Sequence, residues 1–550
     1  MSLLSAIRRV HCRALKPCMA VLQGVVAPAA MVLLLCLPAS AQAKSQTPEA
    51  RPAPAERPYV FTVNARLVVL DVVVTDKAGK PVDGLIAKDF QVFEDDMPQH
   101  IHAFDPPTSH ALPPVSVAAG ITAVFDPAQP ASFGHSPVDV LVFDQLNTHF
   151  ADSSFARRCL HDYLAGQPAL LPQPTTLLTA YDNHFKLLHA FTRDRDALLR
   201  AVAAAPVQYP WKLEVNGKAE YGPIERLDQS LRALEEIAQS YARIPGRKNL
   251  IWVGGGFPTI NPTTIDGDDA QEVKDALQHV TDILLDTHVT LYAVDPTSTA
   301  VGMTEITDSS QAEFLMNAGD ALAGNFDPFG ANDDFDRLGP VTGGRVIRGR
   351  NDIGQQIALS VDLGAHYYSI AYTPSSSSEA AAQYRKIRVV CLRPGLTATT
   401  RTGYYSGETQ AEKTTATATY DLTTAAETTL PLNGIRVTVE PDTTPNIPPN
   451  TYIVHASAAN LTWRTREDGS STASVYIMAV SLNAKNIMLG HTLHGMKASA
   501  KSGANLTDPL KTADFALIAQ PSPKASILRF IIRDNATGHM GSVDLSLKMP

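Results

Sequence analysis

The chain has 550 residues, 44% of them hydrophobic and 18% charged, with a formal net charge of −9. At roughly 150 residues per domain this length excludes a single small module, and the apolar fraction is too high for wholesale disorder. No basic block is present, so nucleic-acid binding through backbone neutralisation is not expected.

The N-terminus reads as an export signal. Residues 1–18 carry Arg8, Arg9, Arg13 and Lys16 and no acid, and Met19 to Leu37 is nearly all apolar. Ala39-Ser40-Ala41 and Ala41-Gln42-Ala43 are small-x-small cleavage sites. The expectation is a signal peptide over residues 1–43; a retained anchor is the competing reading. Either way the product is extracytoplasmic (periplasm, cell envelope or secreted), and no later segment is apolar enough to span a membrane. Three of the five cysteines lie in the leader, which leaves Cys159 and Cys391 as one possible bridge.

Residues 44–58 form a flexible lead-in rich in Pro and Ala. An N-terminal β domain is expected over 59–105. It starts with the aliphatic run Arg66 to Thr75, continues with Phe90-Gln91-Val92-Phe93 and the acidic turn Glu94-Asp95-Asp96, and ends with a strand near His100 to Phe104. Seven prolines mark 106–137 as a linker. From Val138 the pattern alternates between strand and helix. Val138 to Phe143 reads as a strand buried on both faces. It is followed by a helix over 151–164, a hairpin over 176–191 with Asp182 and His184 at its tip, and a helix over 193–204. The stripe Ile224, Leu227, Leu231, Leu234, Ala238 and Tyr241 predicts a long helix. Strand 249–253, helix 269–286, strand 289–294, a helical stretch near 310–323, strand 345–347 and helix 352–363 complete the set.

This alternation over 138–364 predicts a doubly wound, mostly parallel α/β sheet flanked by β-sandwich-like domains. A β meander follows at 365–405, and its strands could pair with the N-terminal β domain across the insertion. Residues 406–428, rich in Thr and Ala, read as a linker, and 429–550 as a C-terminal β-sandwich. In the latter, strands are expected at 435–439, 474–480, 527–532 and 542–547.

In an open α/β sheet, ligands bind at the carboxyl ends of the parallel strands. Here those ends are Asp144-Gln145-Leu146-Asn147-Thr148, Gly254-Gly255-Gly256 and Asp295-Pro296-Thr297. This layout resembles the von Willebrand factor A domain. Four stretches (Leu67 to Phe104, Val140 to Arg157, Ile244 to Phe257, His366 to Tyr404) together resemble the secreted bacterial VWFA-related family.

The resemblance implies a crest for protein or matrix binding, formed by Asp144, Asn147, Gly254, Gly255 and Asp295. It also implies a metal-ion-dependent adhesion site for Mg²⁺ or Mn²⁺. Its D-x-S-x-S pattern falls on Asp144, Leu146 and Thr148, where Leu146 offers no oxygen, and glycines stand in place of Thr-Asp-Gly. The site is therefore degenerate. Asp144 and Thr148 are its candidate ligands, with Asn147 and Asp295 as possible helpers. Asp144 has a plainer reading too, as a strand-end residue capping the next turn. His491 and His494 lack a third ligand, and the 94–96 acids read as a charged turn.

No GxSxG, HExxH or activated cysteine appears, so a binding protein is expected rather than an enzyme. A metal-independent envelope scaffold is the alternative function, and an extracytoplasmic hydrolase a weaker one.

Overall fold

The computed structural model describes residues 67–112, 125–181, 185–208, 223–257, 267–296, 338–374, 383–406 and 415–547. The expected signal peptide and lead-in, the hairpin tip at Asp182 and His184, and the helical stretch near 310–323 lie outside the described residues. Among those described, no helix is long and apolar enough to cross a membrane.

The chain enters through four strands: β1 (Val68–Thr75), β2 (Phe90–Glu94), β3 (Met97–Gln99) and β4 (Ile101–Asp105). The turn between β2 and β3 has positive φ at both Asp95 and Asp96, as a two-residue hairpin turn of matching twist requires.

The α/β region then supplies β5 (Val138–Asp144), α1 (Phe150–Ala165), β6 (Leu170–Ala180), β7 (Phe185–Asp194), α2 (Arg195–Ala204) and α3 (Pro223–Tyr241). It continues with β8 (Lys248–Val253), α4 (Gly267–Asp286), β9 (Val289–Val294), a single turn α5 (Leu338–Val341), β10 (Arg345–Ile347) and α6 (Ile353–Ala365). Its six strands lie in the order β10-β9-β8-β5-β6-β7, all parallel except β7. Every residue of β5, β8 and β9 is buried, as expected of strands covered on both faces. Leu141, Phe143, Ile251, Val253 and Val294 pack under Leu160 and Leu164 of α1, Leu198 of α2 and Ile357 of α6. The alternate residues Val140, Val142, Leu250 and Trp252 are buried as well, and α3 and α4 pack against each other, with α4 against β9.

After α6 the chain returns to the first β layer. β11 (Tyr368–Tyr372) inserts antiparallel between β1 and β4, and β12 (Gln383–Cys391) pairs with β2. β13 (Thr397–Thr399) and β14 (Gly403–Ser406) complete two four-stranded sheets around one apolar core of Leu70, Val72, Val92, Tyr368, Ile370 and Val389. This layer meets the α/β region through Asp71 and His288 (3.6 Å) and through Tyr367, just before β11, whose hydroxyl accepts the Arg247 N–H at 3.4 Å and whose ring lies under the Arg247 guanidinium. His288 precedes β9 and Arg247 precedes β8, so the contact lies at the end of the sheet away from the strand C-termini.

Two expected linkers are corrected. Within 406–428 the structure has a helix, α7 (Thr415–Glu427), whose Ala418, Leu422, Ala425 and Ala426 are buried. Small residues let it lie close on the sheet beneath, while the Thr-rich composition hides it from propensity. Residues 125–137 are packed too: Phe133 is fully buried, with its ring edge-on to Phe191 at 5.3 Å.

The C-terminal strands are β15 (Val437–Pro441), β16 (Thr451–Ser457), β17 (Arg464–Thr465), β18 (Ser471–Leu482), β19 (Met488–Ala500), β20 (Thr512–Ile518), β21 (Ile527–Asp534) and β22 (Met540–Ser546). β15, β16 and β20 form one sheet and the rest a second, and the two share a core of Val454, Phe515, Val475, Ile477 and Phe530. α7 covers the outer face of the second sheet through Leu422, Met478, Val480 and Ile531. Cys159 and Cys391 are both free and sit in different cores.

Candidate functional site

The carboxyl ends of β5, β8, β9 and β10 meet at one rim. Gly254 N–H donates to the Val294 carbonyl at 3.1 Å, and Asp295 N–H to the Ile347 carbonyl at 2.9 Å. The loop after β5 folds over this rim. Gln145 holds it from one side, its amide donating to Thr179 Oγ1 and the Pro206 carbonyl and accepting from Gln208 N–H. Asn147 Nδ2 holds it from the other, donating to Ser230 Oγ of α3 at 2.9 Å.

Asp144 is completely buried at the centre. Its Oδ1 accepts the backbone N–H groups of Leu146 (2.8 Å) and Asn147 (3.2 Å), the turn-capping geometry that a strand-end Asp adopts. Its Oδ2 has no hydrogen-bond partner. Burial pushes this carboxyl up to about 6. The Trp252 indole, which lies near but outside hydrogen-bonding geometry, the two amides and Thr148 offset only part of the burial. Thr148, also fully buried, accepts Gly255 N–H on its hydroxyl at 2.7 Å.

The glycines are required by this closure. A Cβ on Gly254 would fall 2.4 Å from Asp144 Cβ and 2.5 Å from Thr148 Oγ1, and one on Gly255 would fall 2.3 Å from the Asn147 carbonyl oxygen. The end of β8 therefore lies in direct contact with both candidate ligands. Mg²⁺ needs six oxygens at about 2.1 Å in near-octahedral array. Here one carboxylate oxygen is open, the hydroxyl already accepts an amide, Leu146 is a buried hydrocarbon, and backbone fills the space between. Asp295 is paired with Arg348 at 3.6 Å. As they stand, Asp144 and Thr148 do not by themselves supply a six-coordinate Mg²⁺ or Mn²⁺ shell.

What the crest does expose is short and partly apolar. His149 stands exposed just before α1, and Phe150, the first residue of α1, is 43% exposed. Arg348 reaches to 3.4 Å of the position a Cβ on Gly256 would take, and Gly256 itself adopts φ +78°.

The other candidates do not assemble. Glu94 is buried and accepts the hydroxyls of Tyr372 (2.6 Å) and Tyr404 (3.1 Å), while Asp95 and Asp96 pair outward with Arg385 and Arg388. His491 and His494 lie on one strand, where a spacing of three puts them on opposite faces.

A donor cluster that sequence reasoning missed lies elsewhere. Glu235 of α3, His279 of α4 and Asp421 of α7 are all buried, with ligand atoms within 4.8 Å of one another, a set compatible with a divalent metal. His279 Nε2 sits 3.1 Å from Asp421 Oδ1, and Arg533 donates from Nε and Nη2 to Asp421 Oδ2 at 2.6 Å. Burial raises the Asp421 carboxyl, but His279 and Arg533 outweigh it and hold the group below the ordinary range. No local motif could have revealed this set, whose members are far apart in sequence.

No family model and no curated protein matches the chain. Solved structures that match include VWA domains and a pilus adhesin. The SpRpn10 VWA domain is 13% identical, covering 32% of this chain and 82% of its own, with a TM-score of 0.17. Manganese-loaded TRAP protein from Plasmodium vivax is 12% identical over 48% and 93%, with a TM-score of 0.22. Pilus adhesin SpaC from Lactobacillus rhamnosus GG is 9% identical over 74% and 53%, with a TM-score of 0.22. The α/β topology given above rests on the strand pairing of this chain rather than on these neighbours.

Proposed function

We propose that this chain is an exported member of the VWFA-related family. On this reading it binds a protein or matrix partner through the crest of its α/β domain, without catalysis and without a metal at Asp144. The observation that carries the metal-free reading is the contact of Gly254 and Gly255 with Asp144, Asn147 and Thr148. It leaves no room for a side-chain ligand on either glycine and packs the crest backbone closely. A closely packed rim presenting Phe150, His149 and Arg348 is suited to a partner that brings an apolar group and a carboxylate. The flanking β layers, taken as sandwich-like domains, would hold that rim away from the envelope.

The test is binding of the purified exported chain to immobilised matrix proteins and to an envelope fraction, with Mg²⁺ or with EDTA. Saturable binding that is unchanged by EDTA and lost in the Phe150→Ser/Arg348→Glu double variant supports the reading. Binding abolished by EDTA, or indifferent to that variant, overturns it.

A further inference from the structure

Three helices far apart in the chain bring three metal-binding side chains to one point. Glu235 of α3, His279 of α4 and Asp421 of α7 are 1%, 8% and 0% exposed, and their ligand atoms lie within 4.8 Å of one another. Clusters of exposed acids are common without an ion, but this set is buried and includes an imidazole. Carboxylates taken out of water are costly unless they are paired or coordinated, and an imidazole with two carboxylates is a donor set for a transition metal.

The distances suit a single ion. His279 Nε2 and Asp421 Oδ1 are 3.1 Å apart. Neighbouring ligands at about 2.1 Å from a shared cation stand roughly 3.0–3.4 Å apart, whether the shell is octahedral or tetrahedral. A shift of about 1 Å by the Glu235 carboxylate completes the set. Arg533 holds Asp421 from the other side, donating from Nε and Nη2 to Oδ2 at 2.6 Å, so Oδ1 is the oxygen turned to His279. An outer hydrogen bond of this kind orients a ligating carboxylate. One turn on from Asp421, the buried Thr424 hydroxyl has no hydrogen-bond partner, which puts a further hard oxygen on that face of α7.

We propose that Glu235, His279 and Asp421 bind one divalent transition-metal ion, Zn²⁺ in preference to Mg²⁺ or Ca²⁺, and that this ion ties α7 to the helices of the α/β region. The imidazole nitrogen sets the preference, since Mg²⁺ and Ca²⁺ take oxygen ligands. On binding, the ion replaces the hydrogen bond between His279 and Asp421. His279 coordinates as the neutral imidazole through Nε2, with its proton on Nδ1, and both carboxylates are ionised. Residues 235 and 279 belong to the α/β region, while α7 covers the C-terminal sheet, so metal binding is coupled to the docking of that sheet. None of the three residues lies at the crest, and the site stands whatever the crest binds.

Metal content and melting test it together. Zinc is measured on the purified chain, and again after dialysis against EDTA and reloading with Zn²⁺ or Mg²⁺. The expected result is one zinc per chain. With Zn²⁺ at about 100 times its Kd, the melting temperature should rise by about 5 °C over the EDTA-treated chain, and with Mg²⁺ it should not. Glu235→Gln and His279→Gln keep polar groups of similar size and should each lose both the bound zinc and the zinc-dependent rise. Each variant is compared with itself with and without zinc, so a lower metal-free melting temperature does not blur the reading. Substitution with Co²⁺ gives a second readout, a visible absorption band that both variants should lack. No zinc retained, zinc retained equally by both variants, or a rise equal with Mg²⁺ would overturn the proposal.

Discussion

Two buried aspartates, both at zero exposure, are treated in opposite ways by this fold. Asp144 at the crest receives two backbone amides and no charged partner, and its second oxygen is unsatisfied, so burial dominates and lifts it to about 6. Asp421 in α7 receives the Arg533 guanidinium and the His279 imidazole, which overcome the same burial and hold it low. Burial alone therefore says nothing about a carboxylate's role; the partners decide. The crest keeps a carboxyl in reserve at the rim of the parallel sheet. The α7 site spends its carboxyl on holding the helix between the α/β region and the C-terminal sheet, a clamp reinforced by Tyr420 donating to Asp228 and by Glu236 accepting the Thr429 and Leu430 amides.

The largest effect should come from breaking the clamp. Asp421→Ala strands Arg533 in a buried setting, and loss of one partner of such a pair typically destabilises by about 3–5 kcal/mol. Limited proteolysis should then release the C-terminal region well before the α/β region unfolds, and simultaneous opening of both would contradict a local clamp. The pH dependence has a definite sign. Because Asp421 is held below its unfolded value of 3.8, its contribution is present above that value and lost as pH falls through the folded one.

The crest carboxyl has the opposite sign. Its folded value of about 6 exceeds the unfolded 3.8, so stability at Asp144 is greatest below the lower value and declines as pH rises to the upper one. Asp144→Asn keeps the acceptor for Leu146 and Asn147 and removes the buried charge. It should stabilise the protein at pH 8 by up to about 3 kcal/mol, with the gain shrinking toward zero near pH 4. Thermal melts at the two pH values measure it, and a variant less stable at pH 8 would show that the charge has a partner.

A smaller change sharpens the metal question. Gly254→Thr, which brings a hydroxyl beside Asp144, overpacks Asp144 and Thr148 and should cost about 1–3 kcal/mol. It should produce no Mg²⁺-dependent rise in melting temperature. A stable variant whose melting temperature climbs with Mg²⁺ would mean that the rim can open to six-coordination.

Some of this was legible from residue pattern. The aliphatic runs at 138–143, 249–253 and 289–294 read as strands, the first as one covered on both faces, and the spacing of Leu227, Leu231 and Leu234 read as a helix; the structure buries all three strands throughout. The return of the chain to β structure after Gly364 also pointed to strands pairing across the insertion, and β1–β11 and β2–β12 do so. Other elements escaped. β6 begins with Leu170 and contains Pro172 and Pro174, which its irregular register tolerates. β19, with two glycines, two histidines and little β-branching, carries almost no propensity and is held as a strand by β18 beside it. α7 is helical because the sheet beneath it offers an apolar face to Leu422 and Ala426.

What the amino-acid order determined by itself is the periodic burial that makes an α/β layer with β structure on either side, since apolar spacing is a local property. Only the tertiary structure decided that Gly254 and Gly255 close over Asp144, that Asp421 finds Arg533 across 112 residues, and that β19 is left as an edge. Those outcomes depend on which distant backbones approach within a few ångströms, and no local pattern encodes such distances.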